Sequence, residues 1–390
     1  MIRLRIVLLL ASCCAVALAA LMAARLAMPG LFLRSPAPGA AAAENTRPSG
    51  PIRFAVLGDS DSQSYHDTLM SDGPRGGRYH ASTWQWTEAL ARLRGDQIDL
   101  GPWGEWGTGK YRAWFDEALG LPARTPAKDD YRYDFAVSGA TCKQLTGRSQ
   151  RQAIRLVQLM DRDPQAWRGG VVLIRIGVND IGAHDVLDAL SRDPAAAGPA
   201  ALIDGCVAAI GDAVAMIRRR HPQTHVVLVG VLSNADWSVE FDHWQSARQI
   251  ANIDAGLDRF DNGLRRLAAA HRDVYFLDDR AWFRHLWGSR DDRGRPSYKV
   301  VHLSPGWAIT NTSGDDPHNA VLADGHAGTV WNALWAQHLV ASLNAAFGLR
   351  LTPITDADVI DFVRPGFAQA AASAAAPPAA AAAAAPDSAR

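Results

Sequence analysis

The chain reads as a three-layer α/β/α sandwich on a parallel sheet of about five strands. Three observations predict it. Short apolar runs without polar alternation recur at Phe54–Leu57, Val171–Ile176, Val226–Val231 and Val274–Leu277, as expected of strands buried on both faces. Stretches with apolar residues at helical spacing separate them, among them Gln150–Met160, Leu202–Arg220 and Ile250–Ala270. The composition, 48% hydrophobic and 21% charged over 390 residues, suits one large core.

Lys plus Arg, at 40, equals Asp plus Glu, so charge gives no support for nucleic-acid binding or a basic membrane patch. Walker-type phosphate loops, internal repeats, heptads and Cys/His metal spacing are absent from the sequence. A catalyst without metal or cofactor is therefore the default expectation.

The ends differ from the body. Arg3 and Arg5 precede the uncharged stretch Ile6–Ala24, long enough to cross a bilayer as a helix, while Ala17-Leu18-Ala19 offers a cleavage site. Residues 1–25 are expected to be a signal peptide or a membrane anchor. Either one exports the body to the periplasm or the exterior, with the basic start inside. Leu10-Ala11-Ser12-Cys13 is similar to a lipoprotein box, but its apolar stretch continues past Cys13. Residues 26–50 are expected to form a linker, 51–352 the folded domain, and 353–367 an extension. The Ala/Pro-rich tail 368–390 is expected to be disordered or transiently helical.

Within the body, Phe54–Leu57 ends abruptly at Gly58-Asp59-Ser60. Small residues allow a sharp turn at a strand's carboxyl end, where open α/β sheets bind ligands, and a helix following Ser60 would aim N–H groups at developing negative charge. Asp59 or Ser60 as a simple helix cap fits equally. Trp84–Leu93 has helical spacing and Ile98–Leu100 reads as a short strand. Residues 101–130 form an insertion rich in aromatics (Trp103, Trp106, Tyr111, Trp114 and Phe115). These rings either contact a sugar or acyl group or pack as a satellite core. Phe135–Val137 reads as a strand leading into Ser138-Gly139-Ala140-Thr141. Residues 282–310 read as a Trp-rich irregular stretch, and Val330–Phe347 as the closing helix.

Gly177-Val178-Asn179-Asp180 follows the third apolar run, and Asp324-Gly325-His326 precedes the closing helix. With the blocks at Ser60 and Gly139, this order and spacing resembles the SGNH (GDSL-type) hydrolase family over roughly residues 52–345. The resemblance implies a flavodoxin-like sandwich and a serine esterase. It implies Ser60 as nucleophile and an oxyanion hole from the Ser60 and Gly139 N–H groups and the Asn179 amide. His326 would be the base and Asp324 its orienting partner.

Acyl transfer needs these parts: an activated hydroxyl, a base, an orienting group and oxyanion donors. Gly139 also fits a turn with positive φ, and Asn179 an Asx-turn or cap. The family spaces its Asp and His with two residues between them, whereas Asp324 and His326 have one. Asp315 and His318 hold the family spacing and are the alternative pair. Gly328-Thr329 and the apolar helix follow His326 directly, which favours His326. Cys142 and Cys206 are the cysteines outside the leader, and export would permit them to pair, although sequence does not place their Cα atoms. Cys142 is the weaker nucleophile, with Lys143 its one basic neighbour. The expected partner is a small-molecule or glycan ester, short acyl groups on glycans being preferred. A lipid-directed esterase, an envelope O-acyltransferase and a non-catalytic glycan-binding module are the alternatives.

Overall fold

The computed structural model describes residues 50–70 and 74–375. The leader, its Cys13 box, the linker to residue 49 and the tail beyond Ala375 lie outside the described residues. The chain runs through β1 (Ile52–Gly58), α1 (Trp86–Arg94), β2 (Ile98–Asp99), β3 (Trp103–Trp106), α2 (Lys110–Ala118) and β4 (Lys128–Tyr131). It continues through α3 (Lys143–Thr146), α4 (Gln152–Met160), β5 (Val171–Arg175), α5 (Val178–Ile181), α6 (His184–Arg192) and α7 (Ala197–Arg220). Next come β6 (His225–Val229), α8 (Ala247–Ala269), β7 (Val274–Leu277) and α9 (Asp279–Trp287). Short strands β8 (Gly288–Arg290), β9 (Pro296–Tyr298), β10 (Val301–Ser304), β11 (Trp307–Ser313) and β12 (Asn319–Val321) lead to α10 (Thr329–Phe347) and α11 (Asp356–Ala375).

The main sheet has five strands in the order β2-β1-β5-β6-β7, every pair parallel. Side chains alternate across it, as the two-residue strand period requires. Ala55, Leu57, Val172, Ile174, Val226 and Leu228 enter one core with residues of α4, α7 and α8. Phe54, Val56, Val171, Leu173, Val227 and Val229 enter the other with residues of α1, α9, α10 and α11. Both faces are covered, which is why the strand runs lack polar alternation. This is the predicted three-layer α/β/α fold.

Three expectations change. Phe135–Val137 is not a ladder strand. Instead β2 covers the start of β1, and the chain from Tyr133 runs along its remainder, with Val56 N–H donating to Tyr133 O, Phe135 N–H to Val56 O and Val137 N–H to Gly58 O. The stretch 282–310 is not irregular, since it holds part of α9 and the strands β8–β11. The tail is helical from residue 368 as far as Ala375, because α11 seats Val359, Val363, Phe367 and Ala370 inward at helical spacing.

Candidate active site

Local hydrogen bonding shapes the end of β1. The Gln152 amide accepts from Gly58 N–H and donates to Gly58 O, each at 2.9 Å, standing in for a strand rung. The Asp59 carbonyl then accepts the N–H groups of Ser62 and Gln63, which closes a tight turn. Ser60 stands half-buried on that turn, with its carbonyl held by Gln85 Nε2 at 3.2 Å. Neither its hydroxyl nor its N–H has a hydrogen-bond partner among the described residues. The helix expected immediately after Ser60 is not there. Among the described residues the first α-helix begins at Trp86, so neither Asp59 nor Ser60 caps a helix directly after the turn.

A charged layer lies beneath the turn. Arg175, the last residue of β5, donates to Asp61 O at 3.1 Å and to Asp279 Oδ2 at 3.0 Å, and Trp335 Nε1 donates to Asp279 Oδ1. Burial pushes the Asp59 carboxyl well above the ordinary range and the Asp61 carboxylate adds to this, against the pull of Arg175.

Gly139 has a φ of 72°, a left-handed conformation that explains the glycine. A Cβ there would meet nothing within 4 Å, so the space above the residue is open. Its N–H is also without a partner among the described residues. The preceding residue is fixed by Ser138 N–H donating to Gln63 Oε1 at 2.6 Å. Asn179 lies exposed in the single turn α5 and donates to Ala140 O at 2.9 Å, which aims the amide and leaves it one further N–H. Asp180 accepts the Cys142 N–H at 2.8 Å, and Cys142 is bridged to Cys206 of α7 with a Cα–Cα distance of 5.1 Å. The bridge removes Cys142 as a nucleophile. The loops after β1, Val137 and β5 are thereby tied to one another at the carboxyl ends of the strands.

His326 lies on the loop before α10. Its Nδ1 is 3.1 Å from Asp324 Oδ2, yet the ring nitrogen is not aligned for a hydrogen bond, so we read the contact as electrostatic. Asp324 also accepts the His326 backbone N–H at 3.1 Å and Arg75 Nε at 3.0 Å. Burial works against its charge, but His326 and Arg75 together hold it well below the usual carboxylate range. Arg75 Nη2 lies 3.3 Å from His326 Nε2. A guanidinium only donates, so a hydrogen bond here requires Nε2 to accept, which in a neutral ring puts the proton on Nδ1. The Tyr65 ring stands edge-on to His326, and its hydroxyl donates to Ala327 O at 2.9 Å, hooking the histidine loop to the segment after Ser60.

The alternative pair is not formed. His318 Nδ1 lies 2.6 Å from Asp316 Oδ1, and its ring packs edge-on against Phe367 of α11. Asp315 instead accepts the Ala323 N–H at 3.2 Å. Sequence reasoning missed Gln63, Tyr65, Arg75, Gln152 and Asp180. Gln63, Tyr65 and Asp180 fall inside or beside blocks already singled out, which was the available signal.

A cavity of about 850 Å³ adjoins this centre, with Val137 and Ser138 in its lining together with Lys110, Tyr111 and Trp114 of α2. The aromatic-rich insertion is a β3–β4 hairpin with α2 at its tip.

No curated protein matches this chain. Among solved structures, it is similar to a family 2 carbohydrate esterase with a carbohydrate-binding domain from Corynascus thermopiles (Myceliophthora fergusii). That match has 17% identity and a TM-score of 0.37, and covers 78% of this chain and 68% of the other. An extracellular lipase from Streptomyces rimosus matches at 19% identity and a TM-score of 0.30, covering 63% of this chain and 86% of the other. A family 3 carbohydrate esterase from Clostridium thermocellum matches at 16% identity and a TM-score of 0.30, covering 63% and 88%. The model of the GDSL-like lipase/acylhydrolase family matches residues 56–306, a span that holds Ser60, Gly139 and Asn179 and stops short of both candidate histidines. With that match over most of its length, and with the sheet and its loops arranged as described, the chain is a serine ester hydrolase belonging to the GDSL-like lipase/acylhydrolase family.

Proposed function

We propose that this chain is an exported esterase that removes short acyl groups, acetyl foremost, from glycans through an acyl-enzyme on Ser60. One observation carries the reading. An unpartnered hydroxyl and two unpartnered backbone N–H groups, those of Ser60 and Gly139, occur on neighbouring loops, beside an Asn179 amide with an N–H to spare. Unpaired donors aimed at developing charge are what an oxyanion needs.

In the reaction, His326 Nε2 exchanges Arg75 for the Ser60 hydroxyl and takes its proton as Oγ attacks the ester carbonyl. The carbonyl oxygen, now negative, takes the three donors. The imidazolium, steadied by the Asp324 carboxylate, returns its proton to the departing alcohol. Water then enters and gives a proton to His326 as its oxygen bonds the acyl carbon, and His326 returns that proton to Ser60 Oγ as the bond to the acyl group breaks and the acid leaves. Export rests on the basic, apolar start of the sequence, and the Cys142–Cys206 bridge agrees with an oxidising compartment.

The test is a panel of p-nitrophenyl esters of increasing chain length together with acetylated oligosaccharides. The expected result is turnover of acetyl esters that Ser60→Ala abolishes. Equal rates for the wild type and Ser60→Ala would remove Ser60 from the chemistry. A preference for long acyl chains would turn the reading toward lipids, and faster transfer to added sugar than to water would make the protein an acyltransferase.

A further inference from the structure

We propose that the cavity beside Ser138 is the subsite for the alcohol half of the ester, and that it takes an acidic saccharide, a sugar carrying a carboxylate. The inference rests on the esterase reading and deepens it by naming the substrate class.

The charge of the lining is one-sided. Lys110, Arg148, Arg151 and Arg155 line it, against Glu117 as the acid. Glu117 is already engaged, by Arg151 Nη2 at 2.9 Å and Arg155 Nη2 at 3.4 Å. Arg148 makes no ion pair or hydrogen bond with any described residue. Lys110 has only the Tyr111 ring within reach, at 5.4 Å. Among the described residues, no anion therefore meets these two cations, which face the cavity.

Beside them, Tyr111 and Trp114 are 82% and 65% exposed, an arrangement costly for large rings unless something covers them. The rest of the lining sets Thr125, Ser138, Ser149 and Gln150, polar groups able to bond hydroxyls, beside the apolar Met70, Pro126 and Val137. Aromatic faces for C–H surfaces, polar groups for hydroxyls and free cations for a carboxylate together describe an acidic sugar. A lipid chain would cover the rings but leave Thr125, Ser149 and Gln150 dry and unpaired.

The wall is also built at a cost. Gln150 and Arg151 adopt positive φ angles of 51° and 57°, two adjacent non-glycine residues in a left-handed conformation. Gln150 Oε1 accepts from Gln152 Nε2 at 3.0 Å, and that same amide clamps Gly58. The wall and the end of β1 are thus held by one side chain. Ser138, also in the lining, immediately precedes Gly139, the proposed oxyanion donor.

The experiment measures binding on the Ser60→Ala protein, which keeps an ester intact. The probes are acetylated trigalacturonate and the same trisaccharide with every carboxylate methyl-esterified. The acidic form should bind about tenfold more tightly, as a charge-assisted contact would give. Lys110→Ala/Arg148→Ala should erase that difference by weakening the acidic form alone, with binding of the methyl-esterified form kept. Equal binding of the two forms, or none of either, overturns the proposal. So does tighter binding to anionic phospholipid vesicles that the double substitution releases. Because binding is read without turnover, these results stand apart from the esterase reading, which fails only if Ser60→Ala retains hydrolysis.

Discussion

Asn179 offers the sharpest separation of chemistry from architecture. Its amide has two N–H groups, one spent on Ala140 O at 2.9 Å and one available to substrate. Replacing it with alanine removes both. Loss of the bond to Ala140, on an exposed residue that leaves no cavity, should cost about 1 kcal/mol of stability. In a domain of this size that moves the melting temperature by only about 2–4 °C. Loss of an oxyanion donor should lower kcat by about 100- to 1,000-fold, or roughly 2.7–4 kcal/mol of transition-state stabilisation. Such a donor acts mainly in the transition state, so kcat and kcat/KM should fall together with KM little changed. Steady-state kinetics on p-nitrophenyl acetate, paired with calorimetric melting of the same samples, reads both effects. An unchanged kcat, or a loss confined to KM, would refute the assignment. A melting temperature lowered by tens of degrees would show that the amide mainly holds the fold.

His326→Ala should abolish ester turnover while His318→Ala leaves it within a few-fold; the opposite ranking in the same assay would move the base to the Asp316-paired ring. The Cys142–Cys206 bridge closes a separation of 64 residues, so Cys206→Ser should cost up to about 4 kcal/mol in urea unfolding, and an unchanged midpoint would count against that. Stability should also carry a signature of Asp134, whose carboxyl is pushed up to about 7 by burial and by Asp130, with Lys128 opposing. A carboxyl raised on folding keeps its proton longer in the folded chain, so its contribution is full below about pH 4 and is lost as pH rises through 7. Asp134→Asn should therefore gain on the wild type in urea midpoint between those pH values, and a constant difference would refute this.

The main sheet was legible because its strands are buried on both faces and carry that fact as unbroken apolar runs. The small strands β8–β12 were not, since their pairing is made across turns that few residues mark. The last helix was hidden by its alanines. Val359, Val363 and Phe367 recur at helical spacing, but the low-complexity tail drew the eye past them. At the site, Ser60, Gly139 and Asn179 stood out because each sits in a short local motif at a strand end. Arg75 carried no such mark. Its place against His326 arises from a loop and a chain segment far apart in sequence, and only folding brings them together. The Asp315–His318 pair is not formed for a local reason: Asp316, two residues away, reaches the ring that Asp315 was expected to meet.

The excursion bearing the aromatic helix leaves the β3–β4 hairpin at Trp106 and returns at Lys128, the outermost of four paired positions. Below it, the Tyr133 N–H closes on Leu100 O at 2.9 Å, so the base of the excursion is pinned before the chain rejoins β1. Changes in length or sequence at the tip are absorbed above that pin and need not shift the alignment of β1 with β5. On the proposed reading, bond breaking and substrate reading are thus mounted on separate parts of the molecule. Descendants of this chain could acquire new specificities by rewriting a protruding finger while the hydrolytic machinery stays as it is.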